Sequence, residues 1–178
     1  MKLVSRGPKN YLARSNRYDL APWGVAGVNV FTANNIVSPS EQIDAGTMQT
    51  PGGFANRRYQ TFSPIMRGSY GTISIYAQEN TEEELVIASY NGAVFFAQTI
   101  FNLNTGNYTI LAGDAALMED IGDGWYRCSI MDRDWLGTAA HGYYVWLVNA
   151  GIVNLWDAQV NPGYGPDPRV RTEEVPLT

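Results

Sequence analysis

The sequence predicts an all-β fold, a sandwich of two antiparallel sheets, on three observations. Short runs of alternating apolar and polar residues recur along the 178-residue chain, separated by turn residues. Eleven tyrosines, six phenylalanines and five tryptophans supply bulky strand formers, while 18 glycines and 9 prolines supply reversals. No stretch sustains a long helical period. About ten short strands must then pair their apolar faces, and two packed sheets do so. With 45% hydrophobic and 16% charged residues, the composition is that of one folded domain rather than a disordered chain.

Residues 1–22 read as an N-terminal arm, punctuated by Gly7-Pro8 and Ala21-Pro22. The body is expected over 23–163, opening at Trp23, with Val28, Val30 and Thr32 beginning its first strand. Residues 33–56 form a surface loop or a short strand pair, with a turn at Pro51-Gly52-Gly53. Arg57 to Ser63 alternates until Pro64 ends it, and Tyr70 to Gln78 places Ile73, Ile75 and Ala77 on one face. Glu79 to Glu84 reads as a charged, solvated turn, since consecutive carboxylates cannot converge on a metal without other ligands.

Leu85 to Tyr90, Val94 to Phe101 and Tyr108 to Leu111 supply three more strands, with Asn91-Gly92 a two-residue hairpin signal. Gly122-Asp123-Gly124 is a tight reversal into a strand where Tyr126, Cys128 and Ile130 alternate with Trp125, Arg127 and Ser129. That register predicts Trp125 and Cys128 buried. Tyr143 to Val148 and Ile152 to Val160 flank a turn at Asn149-Ala150-Gly151 and read as an antiparallel pair near the sandwich centre. Residues 164–178, with Pro166, Pro168 and Pro176, read as an extended tail.

Charge is segregated. Residues 1–18 carry five positive charges and no acid, and the remainder carries a net charge of −10. An acidic body repels phosphates, which argues against nucleic acid as a partner. No apolar run approaches the ~20 residues of a membrane span, and the basic start lacks the apolar segment of a signal peptide. The arm is expected to dock on a partner through Lys2, Leu3, Arg6, Lys9, Tyr11, Arg14 and Arg17. The single cysteine, Cys128, cannot form an internal disulfide and reads as a buried thiol from a reducing compartment.

Catalytic groupings are thin, and neither an enzyme nor a cofactor is expected. One histidine, His141, and one cysteine make no ordinary zinc set, and no phosphate loop or dinucleotide fingerprint occurs. Asp132 and Asp134 beside Trp135 could hold a structural calcium together with loop carbonyls. Sugar rings stack on exposed aromatic faces, and Tyr90, Trp135, Tyr143 and Tyr164 are the aromatics least committed to the core. Trp125, Trp146 and Trp156 sit in strong strand patterns and are assigned to core packing.

Four blocks carry a family resemblance, in order. They are Asn10-Tyr11-Leu12-Ala13-Arg14-Ser15 with Trp23, then Tyr70-Gly71-Thr72-Ile73-Ser74-Ile75-Tyr76-Ala77. The third is Gly122-Asp123-Gly124-Trp125-Tyr126-Arg127-Cys128-Ser129, and the last Trp156-Asp157-Ala158-Gln159-Val160 with Gly163. Together they resemble the carbohydrate-binding-module-like jelly rolls of bacteriophage virion proteins, tail fibres and related appendages. Tyr164-Gly165-Pro166-Asp167-Pro168 departs from that family's usual close.

The resemblance implies a jelly roll and a structural virion protein made in the host cytoplasm. A capsid decoration or cement subunit is its first implication, a homotrimer attached to other virion proteins. The alternative is a receptor-binding module for host-surface glycans.

Overall fold

Asp123 and Gly124, both at positive φ (53° and 76°), form the two-residue hairpin that the sequence announces. Around it the computed structural model describes residues 10–62, 70–132, 141–169 and 172, and the described residues contain no helix. Twelve strands follow in chain order. They are β1 (Gly24–Ala26), β2 (Val30–Val37), β3 (Ile43–Thr50), β4 (Arg57–Phe62), β5 (Gly71–Glu79) and β6 (Glu84–Tyr90), then β7 (Phe95–Asn102), β8 (Asn107–Ala112), β9 (Ala115–Gly122), β10 (Trp125–Asp132), β11 (His141–Leu147) and β12 (Gly151–Pro162). They form two six-stranded antiparallel sheets, β1-β4-β11-β6-β7-β8 and β2-β3-β12-β5-β10-β9. The protein is an all-β sandwich.

The period of two decides which side chains meet between the sheets. Tyr143, Val145 and Leu147 of β11, Leu85 and Ile87 of β6, Ile73, Ile75 and Ala77 of β5, and Cys128 and Ile130 of β10 form the shared core. Their neighbours in sequence point outward. Tyr144 and Trp146 belong to the outer face of the first sheet, and Tyr76, Trp125 and Trp156 to that of the second. The three tryptophans assigned to packing are indeed buried, but none lies between the sheets.

Residues 33–56 contain a strand pair: β2 and β3 pair from Val30↔Gln49 to Val37↔Ile43, with irregularities around Ile36. Asn91-Gly92 is part of a four-residue loop, where Asn91 N–H donates to the Val94 carbonyl at 3.2 Å. Its side-chain oxygen accepts from the N–H groups of Ala93 and Val94, satisfying the tip locally.

The expected pairing of β11 with β12 does not occur, because the Asn149-Ala150-Gly151 connection crosses from one sheet to the other. Both strands bury both faces, and each is central to its own sheet. The crossing is tied down where Glu82 Oε1 accepts from Glu84 N–H at 3.1 Å and Asn149 Nδ2 at 3.3 Å. Glu82 is therefore buried, not solvated as its run of acids suggested. A hydrogen-bonded carboxylate can occupy a crossover that an unpaired one could not.

From residue 10 onward the expected N-terminal arm is part of the sandwich, and residues 1–9 lie outside the described residues. Leu12, Tyr18 and Trp23 are core residues of the same molecule. Tyr18 packs on Trp23 and Phe31 at ring distances of 4.4 and 5.0 Å, and Trp23 meets Tyr143 edge-on at 5.5 Å. Gln60 of β4 donates to and accepts from the Ala13 backbone. On the other sheet, Tyr11 N–H bonds the Val160 carbonyl, and the Asn10 side chain bonds Ala158 O and Val160 N. The segment bridges the sheets because its apolar residues find the intermolecular burial imagined for them inside their own core.

Tyr11, Arg14 and Arg17 are consequently half-buried against the sandwich, with Arg17 paired to Asp19 at 2.8 Å. That pair holds the Asp19 carboxyl below its usual range. Lys2, Leu3, Arg6 and Lys9 lie outside the described residues.

The first and last motifs of the resemblance meet here. β12 carries an irregularity between Trp156 and Gln159, where Asp157 takes a positive φ of 45°. Its buried carboxylate accepts from the Ser15 hydroxyl at 2.6 Å and pairs with Arg169. Thr172 joins both ends, donating its N–H to Ser15 Oγ and its hydroxyl to the Leu12 carbonyl. As far as Arg169 the tail lies on the outer face of the second sheet. Asp167 O accepts from Arg127 at 2.6 Å, and the Arg169 guanidinium stands 4.0 Å over Trp156. The other three motifs, in β5, β10 and β12, thus lie side by side in the second sheet, and the first is bonded to β12.

Candidate binding site

The outer face of the first sheet is built otherwise. Arg57 and Tyr59 of β4, Tyr144 and Trp146 of β11 and Tyr90 of β6 fall on it because they occupy the phase opposite to the core residues. Phe95 of β7 instead shares the phase of the core residues Ala97 and Phe101, and reaches the outer face through the register shift that pairs it with Tyr90. Neighbouring strands then place the rings side by side. Tyr59 and Tyr144 stack at 5.5 Å and 18°, and Tyr144 meets Tyr90 and Phe95 edge-on at 5.9 and 5.8 Å.

Phe54 comes from the β3–β4 connection and closes the group. Gly52 and Gly53 both take positive φ, and a Cβ on Gly52 would stand 2.4 Å from the Asn149 backbone, so the turn packs directly on its neighbour. Gly53 N–H donates to the Leu147 carbonyl at 2.8 Å, and Asn56 Nδ2 to the Gly52 carbonyl at 2.7 Å. Held this way, Phe54 stands edge-on to Phe95 and Trp146 at 5.3 and 5.2 Å while 41% exposed.

Phe54, Arg57, Tyr90, Phe95 and Tyr144 line an open pocket of about 270 Å³. Arg57 is the only charged residue among the described residues that line it. The guanidinium lies 4.0 Å over the Phe54 ring and 5.7 Å from that of Tyr144, and its Nη1 donates to the Phe54 carbonyl at 3.0 Å. Partial burial raises the Tyr144 phenol above its ordinary range, with Arg57 pulling the other way. At neutral pH it is a neutral donor and acceptor. The arrangement offers apolar ring surface for C–H groups, phenol hydroxyls and one cation, with no grouping for proton transfer or nucleophilic attack.

Of the aromatics singled out from sequence, Tyr90 lines this pocket. Tyr143 does not: it is fully buried between the sheets, because β11 turns its odd-numbered residues inward. Tyr164 is 57% exposed but stands edge-on to Tyr70 at 4.9 Å, apart from the pocket lining. Trp135, Asp134 and the Asp132 side chain lie outside the described residues. No group of three metal-ligating side chains occurs among the described residues.

His141 is a buried strand residue stacked on Phe62 at 6.0 Å, and burial lowers its pKa. Phe54, Arg57, Phe95 and Tyr144 were missed from sequence. Tyr144 alone carries a signal in its phase: it and Trp146 are bulky aromatics on the side of β11 where solvent-facing polar residues would be ordinary.

No protein-family model matches the chain, and no curated protein does. Among solved structures it resembles the CBM22-1 xylan-binding domain from Paenibacillus barcinonensis Xyn10C. The TM-score is 0.56 at 11% identity, covering 91% of this chain and 99% of that one. TmCBM61, determined in complex with β-1,4-galactotriose, gives 0.54 at 15% identity, covering 85% and 97%.

The enzymatically active domain of bacteriophage CBA120 tailspike protein 4 gives 0.56 at 10% identity. That match covers 86% of this chain, which spans about a fifth (21%) of the tailspike chain. At these identities the likeness is one of fold: the sandwich is that of carbohydrate-binding modules and of a phage tailspike domain.

Proposed function

We propose that this protein is a non-catalytic glycan-binding domain whose site is the aromatic pocket on the outer face of the first sheet. The observation that carries the reading is the convergence of Phe54, Tyr90, Phe95 and Tyr144 with Arg57 on an otherwise continuous β-surface. Aromatic rings held at fixed angles offer sugar C–H faces a pre-organised surface, and their rigidity keeps the ordering cost of binding low. Two of the neighbours are described as xylan-binding or as holding a galactotriose, which supports carbohydrate as the ligand class. Fold alone does not establish binding, so the weight rests on the pocket.

This reading reverses the order implied by the sequence, where decoration of a virion came first and glycan recognition second. The segment expected to dock on a partner is, from residue 10 onward, part of the sandwich. The tailspike neighbour supports a phage particle as the setting, with the domain recognising host-surface glycans from there.

The test is a glycan array followed by titration calorimetry with the intact chain. Tyr144→Ala should weaken binding by about tenfold or more, the scale of one lost anchor residue. Tyr164→Ala should leave it unchanged. Absence of binding across neutral and acidic glycans, or binding indifferent to Tyr144→Ala, would overturn the proposal.

A further inference from the structure

Arg57 and Arg58 are adjacent in sequence and opposite in employment. Arg58 turns inward, where Nε donates to Asn29 Oδ1 at 2.8 Å, Nη1 to the Tyr18 carbonyl at 2.9 Å and Nη2 to the Asn29 carbonyl at 3.1 Å. Its guanidinium is consumed in tying the N-terminal segment to the β1–β2 connection. Arg57 turns outward, and its one hydrogen bond among the described residues is that of Nη1 to the Phe54 carbonyl. No described carboxylate lies within ion-pair distance of it, whereas Arg17 has Asp19 and Arg169 has Asp157.

A guanidinium carries five donors in a planar fork, so one bond leaves a pair of N–H groups free for a planar anion. Phe54 beneath it restricts the fork's orientation without neutralising its charge. Buried or half-buried guanidinium groups are normally satisfied by oxygen acceptors, and the Arg57 Nε is buried without a partner among the described residues. Among the described residues, the only fixed positive charge of the pocket thus stands at its wall with no fixed negative charge against it.

Resting on the glycan-binding reading, we propose that the pocket recognises an acidic sugar, a uronic or sialic acid whose carboxylate pairs with Arg57 while its ring packs on Tyr144 and Phe95. A carboxylate matches the fork in shape, and the charge-assisted pair is stronger than a bond to a neutral hydroxyl. The whole chain carries a net charge of −5, which opposes densely charged polyanions at long range. The ligand is therefore a single anionic residue within an otherwise neutral glycan rather than a sulfated polymer.

The experiment compares matched oligosaccharides on an array and by calorimetry: 3′-sialyllactose with lactose, and aldotetraouronic acid with xylotriose. The wild-type chain should bind the acidic member of at least one pair about tenfold more tightly, the scale of one charge-assisted hydrogen bond. Arg57→Gln should weaken the acidic ligand about tenfold more than it weakens the neutral partner, and Arg57→Lys should keep part of the preference.

Equal wild-type affinity within every pair overturns the inference and leaves glycan binding standing. An equal loss for both members in Arg57→Gln overturns it too, since Arg57 then only packs against Phe54. Binding to neither member of any pair, nor to any other glycan on the array, overturns both readings. The wild-type comparison needs no variant, so poor folding of Arg57→Gln would not blunt it.

Discussion

Gly142 lies beneath the ring of Tyr144: a Cβ at position 142 would stand 2.4 Å from the ring's Cε2. The same relation holds across strands, where a Cβ on Gly24 would meet the Tyr59 ring at 2.4 Å. Glycine in a strand weakens it unless something uses the vacated space. Here two tyrosines lie over the gaps, and this is how their rings come to stack. Gly142→Ala should therefore tilt the Tyr144 ring out of the pocket wall. We expect a stability loss of about 1–3 kcal/mol from overpacking and weaker glycan binding, read by urea denaturation and calorimetry on one preparation. Unchanged affinity would show that the posture of Tyr144 is irrelevant to the site.

Trp125 stands on the covered outer face with Tyr76 and Trp156, remote from the pocket. Trp125→Ala should cost about 3–5 kcal/mol, the range for truncating a large buried aromatic. Glycan affinity of the fraction still folded should not change. A melting temperature equal to that of the wild type would refute the assignment.

Asp157 separates charge from backbone. Its φ of 45° suits Asn but strains Ala, and its carboxylate holds Ser15 and Arg169. Asp157→Asn should destabilise by about 3 kcal/mol, the order for breaking a buried pair. Asp157→Ala should lose about 1 kcal/mol more through the backbone. Chemical denaturation of the two variants side by side checks the order, and Ala equal to Asn would remove the strain argument.

Stability should fall on both sides of neutral pH. Burial raises the pKa values of Cys128, Tyr18 and Tyr143, so the native state favours their protonated forms. That stability is complete below their unfolded values, about 8.5 for Cys and 10 for Tyr, and declines as pH rises beyond them. His141 has the opposite sign. Its lowered pKa makes its contribution complete above about 6.5 and lost progressively as pH falls. Urea midpoints at pH 5, 7.5 and 10.5 should be highest at 7.5, and a higher midpoint at 10.5 would contradict the burial of the phenols. In the folded state Cys128 should also resist a thiol reagent at pH 8.

Strand periodicity and turn residues carried most of the fold into view, because both are local. The Asp123-Gly124 hairpin and the inward Tyr126-Cys128-Ile130 series follow from positive-φ preference and a period of two. Which strands pair is not local: β11 and β12 adjoin in sequence, yet each found its partners in a different sheet. Likewise nothing in residues 10–18 distinguishes docking on another molecule from docking on β12, since Leu12 and Tyr18 would bury equally well in either. The site was half legible for the same reason. Tyr90 could be picked as a strand-end aromatic, but the pocket needs Arg57, Phe54 and Tyr144 from separate strands and a loop. Tyr143 was chosen over Tyr144 because adjacent tyrosines differ only in phase.

The bonds between Ser15 and Thr172 make the described chain close to a ring, its entry and exit held side by side. A closed ring can be opened elsewhere. Joining the two ends by a short linker and cutting at the exposed Asn104-Thr105 tip between β7 and β8 would preserve every strand pairing. It would also keep the pocket, whose walls come from β4, β6, β7, β11 and the loop before β4. The same adjacency would let the sandwich be grafted into a host protein's surface loop as an inserted cassette, with the aromatic pocket on the sheet opposite the junction.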